Sequence, residues 1–243
     1  MSAPGPARDL VLIPLFNEDA TVAGVLAEVR RAAPAADILV VNDGSTDRSG
    51  AILEGEAVSD PRLTLISQAD NRGYGQALID GFAHGVARGY DALVTIDCDA
   101  QHEPGQIPQF LEALAGADIV SGSRYLDPNA GGDPAPPERL AINRETTARL
   151  RELTGYPLTD AWCGFKAYRT AALARMRLTE PGYGMPLQVW IQAARLGLRV
   201  TEIPTPRIYK NPRRRFWGGL DDAAERRRYY GEVLERELAA SSR

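Results

Sequence analysis

Val94-Thr-Ile-Asp-Cys-Asp-Ala-Gln-His-Glu-Pro104 is the stretch on which the rest of the chain turns. Residues 93–96 are apolar and have the length of a short buried strand. The run ends in Asp97 and Asp99, one residue apart, with Gln101 and His102 just beyond. Two carboxylates at the end of a buried strand are costly to hold together unless a cation sits between them. Hard oxygen ligands suit magnesium or manganese, metals that are often shared with substrate phosphates. The stretch therefore reads as an Mg2+ or Mn2+ site holding a nucleotide diphosphate. A solvated turn is the plainer alternative.

Working outward, short apolar runs alternate with helical patterns. Residues 10–14 (Leu-Val-Leu-Ile-Pro), 38–41, 63–66 and 92–96 read as buried strands. Between them, 21–33, 52–58 and 76–88 read as helices, the first capped by Asp19 or Thr21. This alternation predicts an α/β fold with a mostly parallel central sheet flanked by helices on both faces. Ligands of such sheets bind outside the carboxyl ends of the strands. Three polar loops leave that edge: 16–18, 42–47 and 97–102. Beyond Pro104 the alternation loosens. Helices are expected at 107–114, 139–153, 187–196 and 221–238, and strands at 118–121, near 162–168 and at 198–203. A loop rich in proline and glycine, read as mobile, spans 126–138. The domain boundaries expected are a flexible 1–9, a main domain 10–219 that divides near 104, and a small C-terminal helical extension at 220–243.

Composition narrows the class. At 243 residues, 44% hydrophobic and 25% charged, the chain is ordinary for a soluble globular protein. A net charge of -4 argues against general nucleic-acid binding. Cys98 and Cys163 fit neither a disulfide framework nor a zinc pattern. The first nine residues lack the apolar core of a signal peptide, and no stretch approaches the roughly 20 apolar residues of a membrane span. A cytoplasmic protein, soluble or peripheral on the inner face of the membrane, is expected. Gly73-Tyr-Gly75 after a strand invites a dinucleotide-binding reading, but Leu78 stands where the third glycine belongs.

Five motifs occur in order: Pro14-Leu-Phe-Asn-Glu18, Val41-Asn-Asp-Gly-Ser-Thr-Asp47, Asn71-Arg-Gly73, Asp97-Cys-Asp99 and Gly164-Phe-Lys-Ala-Tyr168. Together they resemble the family 2 glycosyltransferases of GT-A fold, a Rossmann-like architecture. The branch they are most similar to is that of the dolichol-phosphate mannose synthases, whose Asp-x-Asp-x-Gln-His is met by Asp97, Asp99, Gln101 and His102. The resemblance runs from Leu10 to about Arg213. It implies that Pro14, Phe16, Glu18, Val41 and Asp43 form the nucleoside pocket. It implies that Asp97, Asp99 and Gln101 bind the metal, with Cys98 in the same donor-binding stretch. Arg124 would meet a phosphate, as a guanidinium does bidentately. Arg139, Lys210 and Arg213 stand near further basic positions of that branch.

The implied reaction is inverting transfer of a sugar from a nucleotide-sugar donor of GDP-mannose or UDP-glucose type, with Asp99 and Arg124 at the catalytic centre. A hydroxyl acceptor needs a base. Where many family 2 enzymes carry an acid, this chain has Gln188 in Met185-Pro-Leu-Gln188. A phosphate monoester, with a second pKa of about 6, needs no base. A polyprenyl phosphate is therefore the favoured acceptor. A small-molecule hydroxyl acceptor with Asp160 as base is the alternative, though Asp160 equally suits a role in orienting the loop before Trp162. A non-catalytic sugar-nucleotide-binding protein is a third reading. Arg213, Phe216 and Trp217 fall in a basic, aromatic segment suited to an anionic membrane surface.

Overall fold

The computed structural model describes residues 7–127, 129, 132–209 and 220–240. Strands β1 (Asp9–Leu15), β2 (Asp37–Asn42), β3 (Leu63–Ser67) and β4 (Ala92–Thr95) alternate with helices α1 (Val22–Ala32), α2 (Ser49–Ser59) and α3 (Tyr74–Ala87). A 3-10 turn, Pro104–Gln106, leads into α4 (Ile107–Ala113). Then follow β5 (Ile119–Ser123), α5 (Pro137–Thr154), β6 (Lys166–Arg169), α6 (Thr170–Leu173), α7 (Met185–Arg195), β7 (Val200–Pro204) and α8 (Ala223–Ala239). The expected elements are present within a few residues. The short α6 is an addition, too brief to leave a periodic signal.

Among the described residues one seven-stranded sheet forms, in the order β3-β2-β1-β4-β6-β5-β7. All neighbouring strands are parallel except β6, which runs antiparallel to both β4 and β5. Both faces are covered, which is why β1 and β2 are continuously apolar rather than alternating. Val11, Ile13 and Leu15 of β1 pack toward α1, α2 and α4, while Leu10 and Leu12 pack toward α3, α6 and α7. A third cluster holds α5, α7 and α8 together around Trp190, Leu150, Tyr230 and Val233.

This order positions the site. The chain lays β2 and β3 on one side of β1, then crosses back to place β4 on the other. The loops after β1 and β4 therefore flank the switch point, where open α/β sheets bind ligands. The inverted β6 has a second effect. Its Lys166 pairs with Thr95, so the residues just before it stand beside the residues just after β4. Thr95 Oγ1 donates to the Gly164 carbonyl at 2.7 Å and fixes that juxtaposition.

Candidate active site

A cavity of about 1300 Å3 opens at the carboxyl edge of the sheet. Pro14, Phe16, Glu18, Asp43, Asp97, Asp99, Gln101, Arg124 and Arg139 all line it. Lys210 and Arg213, with the basic segment 210–217, lie outside the described residues.

One side of the cavity is built from loops pinned to one another. Asn17 adopts a left-handed φ of 55°. Its Oδ1 accepts from the Thr46 amide at 2.8 Å and its own amide donates to Ser45 Oγ at 2.9 Å. The Glu18 amide donates to Ser49 Oγ at 2.9 Å. Asp43 is buried, and its two oxygens accept from the amides of Arg72 and Gly73, each at 2.8 Å. It thus ties the loop after β2 to the loop after β3 while also facing the cavity. Thr21 stands at the N-cap position of α1 without a side-chain cap bond; its hydroxyl donates instead to the Cys98 carbonyl at 2.7 Å and anchors the acidic loop.

Two residues expected in the donor site turn away from it. Val41 is fully buried against α3, and Cys98 is buried in the core facing α1. Alternation along β2 sets Val41 on the face opposite Val40, whereas Cys98 lies in the turn beyond β4, where Thr21 holds its carbonyl. Burial pushes the Cys98 thiol well above its ordinary value, so it is an inert core group.

Asp97 is oriented from three directions. The Tyr74 hydroxyl donates to Oδ1 at 3.0 Å. His102 Nε2 lies 3.8 Å from Oδ2, and its Nδ1 accepts from the Asp97 amide at 3.1 Å. Gly164 supplies the third side: a Cβ there would come within 2.4 Å of Oδ2. Asp99 Oδ1 accepts from the Gln101 amide at 3.0 Å across Ala100, whose φ is 55°. Among the described residues no three His, Cys, Asp or Glu side chains are grouped to hold a metal. The side chains that could hold one are instead two carboxylates and the side-chain amide oxygen of Gln101. That set fits a hard cation of the Mg2+ type, which is commonly bound by one or two carboxylates plus substrate phosphates and water.

On the opposite wall, Arg124 is held by a buried carboxylate. Asp160 is 0% exposed and does not reach the cavity. Its oxygens accept from Arg124 Nε at 2.6 Å, Arg124 Nη2 at 2.9 Å and Asn143 Nδ2 at 2.7 Å. The amides of Arg124 and Trp162 add two further bonds, at 3.2 and 3.1 Å. Burial alone would raise the Asp160 carboxyl, but Arg124 and the hydrogen bonds carry it below its ordinary value. The expectation of Asp160 as a base is therefore corrected. Its lone pairs are engaged, and no acceptor can touch it. Its work is to orient Arg124, the loop before Trp162 and Asn143 of α5.

Gln188 is likewise an internal tie. Its Oε1 accepts from the amides of Thr179 and Glu180, both at 2.8 Å, and its Nε2 donates to Glu237 Oε2 at 2.7 Å. The C-terminal α8 is more than an extension: Glu225, Arg228, Tyr229 and Glu232 line the cavity. Lys166, quoted above within a motif but given no role, lies buried in the cavity floor, where burial lowers its pKa. The described part of the 126–138 loop is tied down, Asp133 Oδ2 accepting from the Tyr209 amide at 2.7 Å. Gly73 and Gly75 are not a phosphate cradle. A Cβ on either would strike the backbone of residues 180–182 at 2.4 Å. That close approach replaces the dinucleotide reading.

The site thus sets an acidic pair at the switch point of a seven-stranded, mostly parallel sheet, with a clamped arginine opposite. The chain matches the model of glycosyl transferase family 2 over residues 10–177, and it belongs to that family as a glycosyltransferase. It is 37% identical to an undecaprenyl-phosphate mannosyltransferase of Micrococcus luteus over 202 residues, covering 81% of this chain and 82% of the relative. It is 35% identical to a polyprenol monophosphomannose synthase of Mycolicibacterium smegmatis, covering 81% and 76%. The fold is that of the glucosyl-3-phosphoglycerate synthase of Mycobacterium tuberculosis solved with UDP, at a TM-score of 0.71 and 21% identity, covering 98% of this chain and 87% of that one. A second structure of that enzyme holds Mn2+, UDP-glucose and phosphoglyceric acid, and superposes with a TM-score of 0.70 at 22% identity, covering 96% and 80%.

Proposed function

We propose that this protein transfers a sugar, with inversion, from a nucleotide-sugar donor of the GDP-mannose or UDP-glucose type to a polyprenyl phosphate. The observation that carries the reading is Arg124, presented by a fully buried Asp160 to the same cavity that Asp97 and Asp99 line. With Nε and Nη2 committed to Asp160, Nη1 has no partner among the described residues and is left for an anion. The names of the two curated relatives, both polyprenyl-phosphate enzymes, support the acceptor class.

In this reading Pro14, Phe16, Glu18 and Asp43 bind the nucleoside, and Asp97, Asp99 and Gln101 hold Mg2+ or Mn2+. Bound there, the ion offsets charge on the departing diphosphate as a Lewis acid. Arg124 and Arg139 orient the acceptor phosphate. One of its oxygens forms the bond to the anomeric carbon from the far face, and the bond to the diphosphate breaks with its electron pair. The acceptor is already largely dianionic at neutral pH, so no base is required. The burial of Asp160 and the internal ties of Gln188 agree with that. The carboxylates that α8 brings to the cavity, Glu225 and Glu232, are both paired with Arg228.

No helix among the described residues is long and apolar enough to cross a membrane. A lipid acceptor would bring the protein to the bilayer surface, with the segment at Arg213, Phe216 and Trp217 as its contact. The test is release of nucleoside diphosphate from a panel of nucleotide sugars, with and without Mn2+ and with and without polyprenyl phosphate. Release is expected only when donor, metal and lipid phosphate are together. Turnover with a soluble acceptor in place of the lipid would reject the acceptor class. Metal-dependent nucleotide binding without turnover of any donor would reject catalysis altogether.

A further inference from the structure

Tyr74 opens α3, yet it touches both halves of the site. Its hydroxyl donates to Asp97 Oδ1 at 3.0 Å. Its ring stacks on Tyr183 from the opposite wall, with centroids 5.7 Å apart and planes 16° from parallel. Both rings line the cavity. A carboxylate only accepts, so a permanent donor beside it fixes which oxygen turns outward.

The loop that carries Tyr183 is itself held. Its Pro181 carbonyl accepts from the Gln76 amide of α3 at 2.9 Å. Glu180, buried beneath it, accepts from the Tyr229 hydroxyl and Arg236 Nη2 of α8, both at 2.6 Å. The Gly184 amide donates to the same Tyr229 hydroxyl at 3.1 Å. A continuous path thus runs from α8, through the 180–184 loop and the paired rings, to Asp97.

We propose that Tyr74 is a positioning residue for Asp97, its hydroxyl setting the carboxylate for the metal and its stack on Tyr183 linking that carboxylate to the acceptor-side loop. The inference rests on the reading of Asp97 and Asp99 as the metal–diphosphate site. Partners that orient a metal ligand commonly change metal affinity by about 10–100-fold when removed. Phenylalanine keeps the ring and deletes only the donor.

The experiment is a calorimetric titration of GDP and of UDP into wild type, Tyr74→Phe, Tyr183→Phe and Tyr183→Leu, with and without Mn2+. The Mn2+-dependent gain in nucleotide affinity is expected to fall about 10-fold or more in Tyr74→Phe. Affinity without metal should stay unchanged. Tyr183→Phe, which retains the stack, should keep more of the gain than Tyr183→Leu, although both leave the Tyr74 hydroxyl intact. The Tyr183 pair keeps the test open should Tyr74→Phe fold poorly. Identical Mn2+ dependence in wild type, Tyr74→Phe and Tyr183→Leu overturns the inference and leaves the metal site standing. Absence of any Mn2+ effect in wild type overturns the metal site itself, and the inference with it.

Discussion

The two walls of the cavity hold their charges in opposite ways. On the donor side, Asp97 and Asp99 follow a strand; the Gln101 amide and His102 steady them from within five residues, and the Tyr74 hydroxyl of α3 adds to Asp97. Both carboxylates line open space. On the acceptor side, Arg124 is steadied by Asp160, 36 residues on and fully buried. In the proposed reading the donor wall exposes its carboxylates to a ligand that would supply the compensating charge. The acceptor wall compensates its cation internally and offers only one edge of it. Function at the first wall should therefore separate from stability, whereas at the second the two should move together.

Asp99→Asn tests the first half of that contrast and should have the largest effect. Asparagine keeps the Oδ1 that accepts from Gln101 but removes half the charge of the acidic pair. A fall in transfer of about 10³-fold, or roughly 4 kcal/mol, is expected from losing that electrostatic contribution. The thermal midpoint should hold or rise, because a like charge has been deleted. Steady-state kinetics and a melting curve on the same sample check it, and a fall in midpoint of several degrees breaks the contrast.

Asp160→Asn tests the second half. Breaking a buried pair strands one partner and costs about 3 kcal/mol or more. Transfer should fall as well, through a raised KM for the acceptor phosphate. The sign with pH follows from the depressed carboxyl of Asp160. A carboxylate whose folded pKa lies below its unfolded value of about 4 stabilises the protein above that value. The contribution is lost as acid carries the pH down through the folded pKa. Denaturant unfolding of wild type and Asp160→Asn should thus differ fully at neutral pH and converge below about pH 4. The pH–rate profile should keep its shape, whereas loss of its acid limb would restore Asp160 as a base.

The same contrast explains what could be read from the amino acids. β1, β2 and β4 are legible because burial on both faces makes them continuously apolar, and Asp97, Asp99 and Gln101 are legible because their grouping is local. The strand order is not. A strand is expected near 162–168, but nothing local places it antiparallel between β4 and β5, where Lys166–Arg169 forms β6. Asp160 reads as a loop acid until Arg124 is brought to it by β5. Gly73 and Gly75 resemble a phosphate turn that Leu78 argues against from the sequence, and they are bare because residues 180–182 press against them. Local grouping marks the residues proposed to meet the donor, while those that aim Arg124 are joined only by the fold.

Gln188→Glu sharpens the acceptor side further. The substitution installs the acid that other family members carry, but at a position walled off from the cavity. It also deletes the donor to Glu237 and sets two carboxylates together in a buried site. A loss of about 2 kcal/mol in unfolding free energy is expected, with no gain in transfer to hydroxyl acceptors. New activity toward a hydroxyl acceptor would mean that α7 turns this face to the substrate.

Gly164→Ala acts where the two walls join and should have the smallest effect of the four. Gly164 belongs to the segment that feeds β6, but the space it leaves is filled by Asp97 from the other half. An added Cβ would lie 2.4 Å from Oδ2 and 3.0 Å from Oδ1. The intruding atom meets the end of a side chain rather than backbone, so the fold can yield by rotating Asp97. That rotation stretches its bond from Tyr74 and shifts it against His102. The thermal midpoint should therefore change little, while Mn2+-dependent affinity for a nucleoside diphosphate falls about 10-fold, the equivalent of roughly 1.4 kcal/mol. Unchanged affinity would mean that Asp97 reaches its ligand from more than one rotamer, and that the donor wall is looser than its three contacts suggest.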